Sequence, residues 1–129
     1  MDEKCEFVAY KGDCFTIEWY FDAKSKSQAL SYHQSLNDDD RIKVLKLFKR
    51  MGDAGEIKNK TKFVNEGDKI YAFKPQPDRF LCFFYEGGKI VVANAFRKKQ
   101  QKLPRHEKER ALKIRDSYIT RVKAGEYYG

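Results

Sequence analysis

Three runs rich in β-branched and aromatic residues crowd the second half of the chain: Lys69 to Lys74 (KIYAFK), Arg79 to Tyr85 (RFLCFFY) and Lys89 to Phe96 (KIVVANAF). The connections between them are PQPD and EGG. Connections this short join antiparallel strands, so a mostly antiparallel sheet is imposed before anything else is read. Glu86-Gly87-Gly88 is a tight hairpin turn, because glycine tolerates the positive φ such turns need. Pro75 and Pro77 stiffen the other connection and donate no ladder hydrogen bonds.

Upstream, Cys14 to Phe21 (CFTIEWYF) alternates, with Phe15, Ile17, Trp19 and Phe21 on one face and Thr16, Glu18 and Tyr20 on the other. That pattern predicts a strand with one buried face. From Ser25 the period becomes helical: Ala29, Leu30, His33 and Leu36 form one stripe, Asn37 and Asp38 break and cap, and Ile42, Leu45, Phe48 and Met51 form a second, stopped by Gly52 and Gly55. After a basic loop, Pro104 opens a C-terminal helix with Ala111, Ile114, Tyr118 and Val122 on its apolar side. The expected fold is α+β in the order β-α-α-β-β-β-α, with an N-terminal helical hairpin, a C-terminal helix and a sheet covered on one face. Residues 1–129 read as one domain, the first dozen as a loose extension.

The chain carries 27 Lys+Arg against 19 Asp+Glu, and the whole excess falls between Arg97 and Lys123. Such a concentration points to a polyanionic or acidic partner, nucleic acid first. Cys5, Cys14 and Cys82 lack CxxC or Cys/His spacing and read as buried free thiols of a reducing cytosol, so the expected location is cytoplasmic. The acidic start MDEKCEF predicts no secretory signal, and no apolar run approaches the ~18 residues of a membrane span.

There is no phosphate-binding glycine loop, no nucleophile elbow and no zinc-protease motif; no metal or other cofactor is expected. His33 falls on an apolar helical stripe and reads as a core histidine, His106 as a solvated one. Asp38-Asp39-Asp40 and Glu107/Glu109 sit at helix N-termini, where the helix dipole favours negative charge. What remains is Lys74 to Lys102. By period two Arg79 shares a face with Leu81, Phe83 and Tyr85, while Ile90, Val92, Asn94 and Phe96 share one on the next strand, and Phe96 delivers the chain into Arg97-Lys98-Lys99. Neighbouring strand ends would gather cations for phosphate and rings for splayed bases.

The run Arg79 to Tyr118 resembles the HigB branch of the RelE/ParE toxin superfamily, phage-derived toxins of bacterial toxin–antitoxin pairs. The resemblance rests on Phe96 followed by Lys98-Lys99, Gln101-Lys102 and Pro104, then Glu107, Ala111, Arg115 and Tyr118. It implies a RelE/ParE-like domain that enters the ribosome and cuts mRNA without a metal. Its partner would be an antitoxin with a helix-turn-helix domain, through which alone it meets operator DNA; no membrane is involved. The implied catalytic residues are Arg79 for the phosphorane, Lys98 and Lys99 for phosphate, and Tyr118 or Tyr85 to orient a base or donate a proton. Lys69, Lys74, Tyr85, Asn94, Phe96, Arg97 and Lys102 are the implied RNA-binding set, Lys69 and Lys74 being the candidate bases. Two alternatives stay open: a ParE-like inhibitor of DNA gyrase with no nuclease chemistry, and a non-toxic phage-derived homologue that binds nucleic acid.

Overall fold

A computed structural model describes residues 5–129. The elements are β1 (Val8–Lys11), β2 (Thr16–Trp19), α1 (Gln28–Ser35), α2 (Asp38–Ala54), β3 (Phe63–Asn65), β4 (Tyr71–Phe73), β5 (Asp78–Tyr85), β6 (Lys89–Arg97) and α3 (Arg105–Lys123). The strands form one sheet in the order β1-β2-β6-β5-β4-β3. Only β2 and β6 run parallel; all other neighbours are antiparallel. The α+β class, the helix pair and the C-terminal helix are as expected. Two short strands are added, β1 and β3. β1 lies in the segment expected to be loose, and it is ordered by pairing with β2; of that extension, residues 1–4 lie outside the described residues.

Both faces of the sheet are covered, not one. Ile17, Trp19, Phe73, Phe80, Cys82, Ile90 and Val92 meet α1 and α2 on the first face. Ile70, Ala72, Leu81, Phe83, Val91 and Ala93 meet Ala111 and Tyr118 of α3 on the second. The cause is visible in β5 and β6, which are apolar at consecutive positions and so have no face to give to water. The polar face of β2 is buried as well: Tyr20 stacks on Tyr127, and Glu18 accepts a 2.6 Å hydrogen bond from the Tyr128 hydroxyl.

Ser27 and Asn37 cap α1 and α2 with side-chain oxygens. The buried stripe of α2 is Val44, Leu47, Phe48 and Met51, whereas Ile42 and Leu45 are exposed. α2 also continues through Gly52 to a left-handed Gly55. Gly52 is needed for contact rather than for stopping: a Cβ there would lie 2.8 Å from the Tyr10 ring and 3.1 Å from Phe15 O, and its carbonyl accepts from the Cys14 and Phe15 N–H groups. Of the three thiols only Cys82 is buried; Cys14 is exposed, because it sits in the turn before β2. No helix among the described residues is long and apolar enough to cross a membrane.

One irregularity decides what reaches the site. Leu81 pairs with Asn94 but Cys82 pairs with Val92, so Ala93 is an extra residue on β6. This β-bulge breaks the expected shared face. Ile90 and Val92 point to the α1/α2 side, whereas Asn94 and Phe96 point to the α3 side with Arg79 and Leu81.

Candidate functional site

Arg79 is the second residue of β5 and pairs with Phe96 on β6. The β4–β5 loop folds back on itself, with the Asp78 N–H donating to Pro75 O, and holds Lys98 at its side through Lys98 N–H to Pro77 O. Both strand ends therefore open on one shallow recess of about 310 Å³, lined by Gln76, Arg79, Lys98, Lys99, Gln100 and Gln101.

Arg79 is only 5% exposed. Its Nη1 donates to Gln76 Oε1 at 3.2 Å and to its neighbour's carbonyl, Asp78 O, at 2.9 Å. Among the described residues no carboxylate lies within ion-pair distance of it. Burial lowers its pKa, opposed by the more distant charges of Glu66 and Asp78. A guanidinium withdrawn from water without a direct counter-ion is a place where an anion gains from binding. Lys74, one residue beyond β4, donates to Lys60 O at 3.1 Å. Its pKa is lowered first by burial and then by the charges of Arg79 and Lys98. The neutral amine, which can accept a proton, is thereby more accessible than for a lysine in water.

Arg79, Lys98 and Lys99 are thus brought together in the recess, with Lys74 outside its lining but near enough for the charges of Arg79 and Lys98 to act on it; other expected members are not brought there. Asn94 is completely buried, its Nδ2 donating to Glu107 O and Glu107 Oε1 at 3.2 and 3.0 Å, so it ties β6 to the first turn of α3 rather than facing RNA. Glu107, read as a dipole carboxylate, also serves as that buried anchor. Phe96 packs in the α3-side core. The bulge at Ala93 is the reason for both. Tyr118 is completely buried, its hydroxyl 2.6 Å from that of Tyr128, and burial pushes its pKa up to about 12. Tyr85 packs edge-on against it. Both belong to the far end of β5, six residues from Arg79 or roughly 20 Å at strand rise. Lys69 lies in the β3–β4 turn near Arg115 and Ile119, at the opposite end of β4 from Lys74. Arg97 and Lys102 are exposed on the strand end and the basic loop.

The pattern missed three contributors. Gln76 lies between the two prolines, where only its place in the loop marks it. Tyr32 donates to Asp78 Oδ1, and the Gln28 amide makes two 2.8 Å hydrogen bonds to Ala95, one to its carbonyl and one from its N–H. β2 ends opposite Val92, so Gln28 supplies Ala95 with the partners a longer β2 would have offered. α1 thus fixes the ends of both β5 and β6. His33 is buried beside Trp19 and Phe80, and burial lowers its pKa; His106 is exposed. Among the described residues no three His, Cys, Asp or Glu side chains are grouped to hold a metal ion.

No curated protein matches the chain significantly. A family model described as phage derived protein Gp49-like (DUF891) matches residues 31–116, two-thirds of the chain, and takes in every residue that lines the recess. The chain therefore belongs to the Gp49-like family of phage-derived proteins.

Proposed function

We infer that this Gp49-like chain is the toxin of a toxin–antitoxin pair and an endoribonuclease that cuts mRNA on translating ribosomes. The observation that carries the reading is the buried, unpaired Arg79 guanidinium beside a lysine whose charged form is disfavoured. Cleavage of RNA by its own 2′-hydroxyl needs three things: a proton acceptor, charge on the phosphorane, and a proton for the departing 5′-oxygen. Neutral Lys74 takes the 2′-O–H proton as the 2′-oxygen bonds to phosphorus. Arg79 meets the negative charge that grows on the non-bridging oxygens. The P–O5′ bond breaks, and the 5′-oxygen is protonated by a Lys98 or Lys99 ammonium, leaving a 2′,3′-cyclic phosphate and a 5′-hydroxyl. Neither the buried Tyr118 nor the half-buried Tyr85 takes part. The excess of surface lysine and arginine suits docking against ribosomal RNA. An antitoxin with a helix-turn-helix domain is the expected partner, and the cytoplasm the expected location.

The test is primer-extension mapping of a defined mRNA with and without translating ribosomes, using the wild type, Arg79→Ala and Lys74→Gln. Ribosome-dependent cuts that fall at least 100-fold in Arg79→Ala are expected, the usual order for losing one donor to a developing oxyanion. A folded, growth-inhibiting protein that makes no cuts refutes the reading and directs attention to gyrase.

A further inference from the structure

Next to the Arg79 recess lies a second one of about 280 Å³, lined by Lys43, Lys46 and Leu47 of α2, by Lys62 just before β3, and by Pro75 and Gln76. Gln76 lines both recesses. Its Oε1 is occupied by Arg79, while its amide N–H groups have no protein acceptor among the described residues and are left to donate outward. Lys46 and Lys62 have no carboxylate within ion-pair distance among the described residues, and Lys43 meets only Asp40 at 3.6 Å. All three lysines are exposed and none packs in the core. The elements behind them serve the fold, but the six cations of the two recesses are not consumed by it. Like charges gathered without partners repel one another, and a polyanion crossing both recesses relieves that repulsion.

We propose that the Lys43/Lys46/Lys62 recess is a second phosphodiester subsite, holding nucleotides that flank the scissile linkage on a single RNA strand that passes over Gln76 into the Arg79 recess. It rests on the ribonuclease reading only for which linkage is scissile. An RNA strand is favoured over an acidic protein segment because the bridge between the recesses and the floor beyond Arg79 are amide side chains, Gln76, Gln100 and Gln101, which both donate to phosphate and pair with base edges, while Leu47 and Pro75 give the second recess an apolar wall on which the face of a base can lie.

The experiment is fluorescence anisotropy on the full chain with a labelled RNA of about twelve nucleotides, 2′-O-methylated throughout so that it cannot be cut, titrated across salt concentrations. Lys46→Gln/Lys62→Gln is compared with the wild type and with Lys113→Gln/Lys123→Gln on α3, which loses equal charge elsewhere. For single strands each phosphate contact contributes about 0.7 to the slope of log K against log salt. The subsite variant is therefore expected to show a slope shallower by about 1.4, which makes binding about 25-fold weaker at about 0.1 M salt and nearly unchanged at about 1 M. The α3 variant is expected to stay close to wild type. Equal losses in both variants, an equally tight oligoglutamate, or no RNA binding at all would each overturn the proposal. The ribonuclease reading fails on a different result, the absence of ribosome-dependent cuts, and an intact Lys46/Lys62 effect in that case leaves a nucleic-acid subsite without cleavage.

Discussion

Arg79→Met separates a residue kept for the fold from one kept for a ligand. In the folded chain Arg79 is 5% exposed, and its guanidinium makes two hydrogen bonds through Nη1 and has no ion-pair partner among the described residues. Withdrawing an ion of this size from water costs several kcal/mol after relaxation, and hydrogen bonds from a charged donor return about 1.5–3 kcal/mol each. The balance is near zero or unfavourable. Methionine keeps the length, places an apolar chain beside Leu81 and Phe96 on the same face, and removes the desolvation term. The expected change is a gain of about 1–2 kcal/mol in unfolding free energy, a rise in Tm of roughly 4–8 °C for a domain of this size. Urea unfolding with linear extrapolation measures it, repeated with added RNA. RNA at about 100 times its Kd raises the stability of the wild type by about 2.7 kcal/mol, and the variant, having lost one of the cations that hold the strand, should gain about 1 kcal/mol less at the same RNA concentration. The result that refutes the reasoning is a variant destabilised by more than about 1 kcal/mol that gains as much stability from RNA as the wild type does, for then Arg79 is a structural residue.

Three further outcomes follow from the same geometry. If neutral Lys74 is the proton acceptor, the cleavage rate rises about tenfold per pH unit and levels off below the ordinary lysine value of about 10.4, because its pKa is lowered in the folded protein; a single-turnover pH profile reads this, and Lys74→Gln should lose the slope. Asn94→Ala removes the 3.0 Å donor of the buried Glu107 carboxylate and leaves it the longer 3.5 Å contacts with Arg110 and His106, so unfolding free energy should fall by about 1–3 kcal/mol in a denaturant titration while RNA affinity is unchanged, in keeping with an anchor that RNA does not reach. His33 is held neutral by burial, so the unfolded chain binds its proton first: the stability it permits is complete above about pH 6.5 and declines as pH falls from there toward the lowered folded value. His33→Gln should flatten that limb in thermal melts from about pH 7 to 5.

Features with a local cause were legible in the sequence. Gly87 and Gly88 both adopt positive φ where the EGG turn demanded it, Asn37 caps α2, and the apolar residues of α3 fall on the side that meets the sheet. The features that were not legible depend on distant partners. Glu18 and Tyr20 read as a solvated face because the alternation of β2 carries no sign that Tyr127 and Tyr128 return from the C-terminus to cover them. Ile42 and Leu45 fit a helical stripe as well as Val44 and Leu47 do, and only the position of the sheet chooses between them. β1 and β3 are too short for periodicity to register, and pairing alone makes them strands.

For the site, the strand pattern succeeded up to Ala93 and failed after it. A strict period of two would put Asn94 and Phe96 with Val92, against α1 and α2, and leave Arg79 to face α3 beside other partners. The bulge reverses that: Asn94 meets Glu107, Phe96 closes the core beneath Arg79, and the aromatic rings expected to stack bases are spent on packing. What is left at the strand ends is amide and cation, Gln76, Lys74, Arg79, Lys98 and Lys99. A surface with those groups and no exposed ring holds a nucleic acid by its phosphates, which position a strand without reading its sequence. Any codon or base preference of this chain must then come from what presents the mRNA, and swapping bases in a free oligonucleotide should alter its affinity far less than removing one cation from the recess.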